Sequence, residues 1–264
     1  MNNTSIKAIT LAGMLSTTVY ADSDNTACDG IMNIVNRPNI IDSVCSVPFK
    51  KFVAEFNFVN QQLIQRAGSQ QNFPNALLRV GLPAHSELFV SLPNYIHQES
   101  PPGTGSTAPS SGLKQSIYYN EKWVFALEEV ASFPGGNYAY GAQGWGGGFN
   151  GIASYSISQQ LNVTAMLGII RQSQSQSDGG LSYNSVNPDV TLTYAPNDYL
   201  SFYGEIFGQS KISARDHAGF NIDGGFLILV APNFVFNLSA GQQLYNYLGG
   251  FTHYVNAGVS VMLG

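Results

Sequence analysis

From Phe52 the chain alternates with a period of two: Phe52, Ala54, Phe56 and Phe58 stand against Val53, Glu55, Asn57 and Val59. Successive side chains of an extended strand point to opposite faces, so this run has one apolar face and one mixed face. The pattern returns at 76–82, 161–169, 189–194, 234–241 and 255–263. In a soluble sandwich the wet face of such strands would carry Lys and Glu. Here it carries Asn, Ser, Thr and Gly with few charges, which suits the lumen of a barrel whose apolar face meets lipid.

The connectors sharpen the expectation. Short ones at 83–87, 120–122, 158–160, 195–198 and 231–233 hold turn-forming Pro, Asn, Asp or Ser. Longer polar or Gly-rich ones at 65–72, 96–111, 133–144, 172–182, 210–218 and 242–252 alternate with them. Together they predict an all-β fold, a transmembrane antiparallel β-barrel of 12 strands over 49–264 with both termini periplasmic. Closure follows from the solvent, because an open sheet edge in hydrocarbon leaves backbone groups unpaired at several kcal/mol each. Tyr118, Tyr119, Trp123, Tyr194, Tyr199, Phe202, Phe234 and Tyr254 fall near strand ends and are expected in interfacial girdles.

Composition excludes other classes. The 11 Lys and Arg and 16 Asp and Glu make only 10% of 264 residues, where about 25% is usual for soluble proteins. Disorder does not explain the shortage, given 14 Tyr, 16 Phe and 28 Gly. A net charge of -5 without a basic stripe argues against nucleic acid as a partner. Residues 1–7 carry one Lys, 8–20 are uncharged and mildly apolar, and Val19-Tyr20-Ala21 presents a cleavage site, so 1–21 reads as a signal peptide. Residues 22–48 then form a periplasmic N-terminal segment. It holds both cysteines, Cys28 and Cys45, which in an oxidising compartment read as one disulfide, with two free thiols as the alternative.

The stretches RPNIIDSVCSVPF, NALLRVGLPAHSELFVSLPNY, EKWVFALEEVASFPGG, NPDVTLTYAPNDYLSFYGEIFGQS and HYVNAGVSVML resemble the outer-membrane transporter family named after the meta-cleavage pathway of phenol degradation. The resemblance spans 37–263, with NPD-strand-PND-strand-YGE as its most specific motif. It implies an outer-membrane barrel moving small, aromatic or hydrophobic solutes, with lipid and the barrel-insertion machinery as partners and no cofactor. One departure is Gly264, which stands where barrels usually end in an aromatic.

Candidate chemistry is confined to the lumen. Arg79, Glu128, Asp189, Glu205 and Asp223 each lie out of phase with the apolar set of their strand, so they point inward. They are either a selectivity ring along a water path or ion pairs that fill the interior. Rim-serine hydrolysis finds no support: His85 lies in a short turn, His97 and His217 lie in or beside loops, and His253 has no Ser two residues away. No cluster of His, Cys or carboxylates suggests a metal. Two readings follow: a channel or transporter for small solutes in the outer membrane of a Gram-negative-type envelope, and a structural or surface-interaction barrel. A soluble periplasmic β-protein is a third.

Overall fold

The computed structural model describes residues 28–264, so the expected signal peptide lies outside the described residues. Fifteen antiparallel strands form one sheet, closed on itself where β1 (Phe52–Leu63) pairs with β15 (Phe251–Leu263) in a register running from Phe52↔Leu263 to Gln61↔Tyr254. They make a barrel of 12 staves, because three staves are each broken in two. These are β2 (Ser69–Phe73) with β3 (Leu77–Leu82), β4 (Ser86–Ser91) with β5 (Tyr95–Gln98), and β6 (Thr104–Ser106) with β7 (Ser110–Tyr119). Eight unbroken strands follow: β8 (Trp123–Ser132), β9 (Gly146–Ser156), β10 (Leu161–Ser173), β11 (Ser182–Asn197), β12 (Leu200–Gln209), β13 (Gly219–Ala231), β14 (Phe234–Tyr245) and β15.

The breaks have a local cause. Pro74, Pro93 and Pro109 sit in the three gaps, and proline has no N–H to give to a ladder. Side chains replace part of what is lost: Asn94 Oδ1 accepts the Asn75 N–H at 2.9 Å, and Thr107 Oγ1 accepts the Asn94 N–H at 2.8 Å. Connections of the expected two lengths alternate around the barrel, giving one end made of short turns and one of longer loops. The predicted loops at 65–72 and 96–111 contain β2, β5 and β6, so there the sheet continues past the predicted strand ends.

The facing is as the alternation requires. Val190, Leu192, Leu167, Ile169 and Val255 are about half exposed, pointing away from the barrel axis, while Asn57, Asn237, Asn256 and Ser260 are buried within. Of the expected girdle, Trp123 stacks on Phe125 at 5.5 Å and meets Tyr155 at 4.6 Å on the outer surface at the short-turn end. Two members correct that expectation. Tyr254 is buried in the lumen with its hydroxyl on Asp223, and Tyr119 packs inward beside Val124 and Ala126. Both stand on the lumen phase of their strands, which proximity to a strand end does not reveal.

Gly81 marks where the N-terminal segment meets the wall. A Cβ at this position would lie 1.9 Å from the Pro48 carbonyl oxygen, which is backbone and cannot swing aside. Gly81→Ala is expected to cost about 1–3 kcal/mol through this overpacking, read as a lower urea midpoint. Gly204→Ala, where nothing lies within 4 Å of the added carbon, is expected to leave the midpoint nearly unchanged.

Candidate functional site: the lumen and the segment that fills it

Residues 28–48 lie inside the barrel. The sequence reading sets 22–48 apart as a periplasmic segment; its described part is a plug, and the reason is apolar. Ile31, Ile34, Val35, Val44 and Val47 are buried, and they rest on lumen-facing apolar residues near the short-turn end. Ile34, Val44 and Val47 pack with Val53, Val124, Ala126 and Ile152, while Ile31 and Val35 pack with Tyr203, Leu227 and Val235. Those wall residues sit in the polar phase of their strands. That mismatch is the signal in the sequence that something apolar fills the lumen. A single helical turn, α1 (Ile31–Ile34), and the Cys28–Cys45 disulfide hold the segment in a loop, as the cysteine count suggested.

Wall charges then grip the plug by its backbone. Glu55 accepts the N–H groups of Asn36 and Arg37 at 3.0 and 2.8 Å, Glu205 those of Ile40 and Ile41 at 2.9 and 2.8 Å, and Glu87 that of Val47 at 2.6 Å. Donors on the wall serve the plug's carbonyls: Arg79 Nη1 donates to Ile34 O at 2.5 Å, Lys114 Nζ to Ser43 O at 2.8 Å and Ser116 Oγ to Val44 O at 2.8 Å. These charged side chains also pair among themselves. Arg79 bridges Glu55 and Glu87, both at 2.9 Å, and Lys114 meets Glu87 at 3.1 Å, with all four side chains fully buried. Four adjacent staves supply them, so the network is a patch of wall rather than a ring.

The five predicted lumen residues divide between two places. Arg79 belongs to the patch just described. Glu128 adjoins it, directly across from Lys114 on the neighbouring strand, while Asp189, Glu205 and Asp223 lie further round on β11 to β13; all four are buried. Glu205 stands directly across from Asp223 and beside Thr191, whose hydroxyl it accepts at 2.9 Å. Glu128 accepts Asn150 Nδ2 at 2.7 Å. Sequence reasoning missed Arg79's partners: Glu55 was legible as inward, Glu87 falls inside a predicted turn, and Lys114 lies in a strand the alternation did not mark. Asp42 on the plug, bonded to Asn36, was hidden with the segment that carries it.

Two chambers flank the described part of the plug. One, about 890 Å³, opens among the short turns and is lined by Met32, Asn33, Tyr119 and Ser156. The other, about 470 Å³, lies on the long-loop side between Arg37 and Asp42 of the plug and Phe89, Asp189, Phe207 and Phe251 of the wall. Among the described residues no group of His, Cys and carboxylates is placed to hold a metal.

A closed 12-stave antiparallel barrel with apolar residues outside and polar ones within is the fold of an outer-membrane barrel protein. The solved structures it resembles are of that kind. The COG4313 outer membrane channel from Pseudomonas putida F1 matches with a TM-score of 0.65 and 10% identity over 83% of this chain and 98% of that one. The NanC porin matches at 0.55 and 12% over 79% and 100%, and the KdgM porin at 0.54 and 6% over 80% and 99%. No curated protein sequence matches the chain. The chain belongs to the family described as "Putative MetA-pathway of phenol degradation", whose model matches residues 37–253.

Proposed function

We propose that this protein is an outer-membrane channel for small solutes of partly apolar character, closed in this structure by its own N-terminal segment. The observation that carries this reading is the pair of chambers, about 890 and 470 Å³, separated by a segment held by apolar packing at one end and by hydrogen bonds to wall charges. A barrel filled for rigidity alone needs no such spaces. The short-turn end then faces the periplasm, with both termini there, and residues 1–21 are the cleaved export signal. The mixed lining of the long-loop chamber, with Leu77, Val130 and Phe207 beside Asn150 and Asp189, suits compounds with an apolar body, and the family's link to phenol degradation supports that class. Catalysis is no part of this reading.

Single-channel recording in a planar bilayer tests it, on protein shown to be folded by a heat-dependent gel shift. The wild type is expected to give discrete steps of low conductance. A folded barrel that stays silent, and stays silent after the plug is removed, would favour the structural role. The lumen acids make a second measurable claim, because a wall of unbalanced carboxylates favours cations along a water path. Replacing Asp189, Glu205 and Asp223 by Asn is expected to lower the preference for K⁺ over Cl⁻. An unchanged reversal potential would refute their place on the path.

A further inference from the structure

The long-loop chamber is short of hydrogen-bond donors. Among the described residues, five buried side-chain oxygens lining it accept no hydrogen bond: Glu128 Oε2, Asn187 Oδ1, both oxygens of Asp189, and Asn221 Oδ1. Among the same residues one unmet donor faces this space, Arg37 Nε. Asn221 is fully buried, and its amide orientation is fixed because Nδ2 donates to Leu248 O at 3.1 Å, which leaves the oxygen as the free end. Asp189 is 3% exposed. Its charged neighbours are Glu205, Asp223 and the plug's Asp42, all carboxylates, and the oxygens of Glu205 already accept Ile40 N, Ile41 N and Thr191 Oγ1.

Register sets two of these acceptors side by side. Asp189 pairs with Phe207 and Phe207 with Asn221, which puts the carboxylate and the amide on either side of one ring in a single row. The next row carries Lys114, Glu128, Asn150, Gly168 and Asn187 in turn, so Glu128 has the Lys114 ammonium on the strand beside it. Unpaired buried acceptors are costly, and a buried unpaired carboxylate most of all. Water can meet part of this need. An ammonium group meets more of it, with three donors and a positive charge, and aromatic faces such as Phe207 and Phe251 add attraction for a cation.

The geometry points to this chamber as a binding site for a compact organic ammonium ion: a primary amine head directed at Asp189 and Asn221, and an apolar body against Leu77, Phe89 and Phe207. A volume of about 470 Å³ is in the range of small-molecule sites, roughly 300–1,000 Å³. Asp42 of the plug lines the chamber as well, so three carboxylates stand there against the Arg37 guanidinium, with Lys114 beside Glu128 as a second cation. The proposal narrows the solute class of the channel reading, and rests on it only for how the solute reaches the chamber.

Equilibrium binding to the folded, detergent-solubilised full-length protein separates the two. By isothermal titration near neutral pH, phenethylammonium is expected to bind at least about tenfold more tightly than the uncharged 2-phenylethanol. The preference should vanish in Asp189→Asn, fall in Asn221→Ala and survive in Glu121→Gln, which changes an exposed carboxylate at the short-turn end. The gel shift establishes folding of each variant, and Asn221→Ala carries the test if Asp189→Asn does not fold. Equal affinity for amine and alcohol, no binding of the amine, or a preference that survives both lumen substitutions would overturn the site. Loss of conductance with amine binding intact would instead overturn the channel reading and leave the site standing.

Discussion

Replacing Arg79 by Met is expected to destabilise the barrel by about 3–5 kcal/mol, the cost typical of removing one partner from a buried ion pair. The loss should be seen as a lower urea midpoint, or as failure to give the folded band on an unheated gel. Methionine fills much of the same space, so the effect is electrostatic. Two carboxylates, Glu55 and Glu87, lose the guanidinium that bridges them, and Ile34 O loses a donor at 2.5 Å. Glu87 keeps Lys114, whereas Glu55 keeps only the plug's N–H groups. Adding Glu55→Gln to Arg79→Met should therefore recover part of the stability. A double variant as unstable as the sum of the two single ones would show that the pair is not coupled.

Deleting residues 28–47 is expected to turn the low, stepwise conductance of the wild type into a steady conductance several-fold larger, recorded in the same bilayer. The barrel should survive the deletion because the wall patch is balanced without the plug: Glu55 and Glu87 stand against Arg79 and Lys114, and water can replace the plug's backbone groups. Glu205→Ala makes a milder version, since it removes the acceptor of Ile40 and Ile41 while leaving the rest of the segment gripped. It should raise the frequency of opening rather than the size of the step. An unchanged trace in the deletion variant would mean that the lumen is closed by something other than this segment.

How far these features were legible in the chain depended on periodicity. A strand with one face on lipid and one in a lumen writes its facing in every second residue, so the inward set of β11 and the outward set of β10 could be named from sequence. The short turns and long loops followed from the same frame. The plug could not be found this way, because Ile31, Ile34, Ile41, Val44 and Val47 belong to an irregular segment with one helical turn and no repeating face. Its trace lay elsewhere, in Val53, Val124, Ile152 and Val235, apolar residues on the polar phase of their strands. Partners of the lumen charges were hidden for a related reason: alternation gives direction, but Arg79 meets Glu55 and Glu87 through stave neighbourhood, and that depends on register. The proline breaks were readable as residues and not as breaks, since 65–72 and 96–111 looked like loops when they also carry strands.

The grip of wall carboxylates on plug backbone has a consequence for assembly. A barrel that closed around an empty lumen would hold Glu205 among Asp189 and Asp223 with no amide to accept, and its apolar patch at Val124 and Ile152 would face water. The N-terminal segment is joined to β1 within a few residues, and β1 is the strand that seals the cylinder against β15. The seam and the filling are thus tied by the same few residues, and a β1 strand in register with β15 carries the end of the plug into the lumen with it.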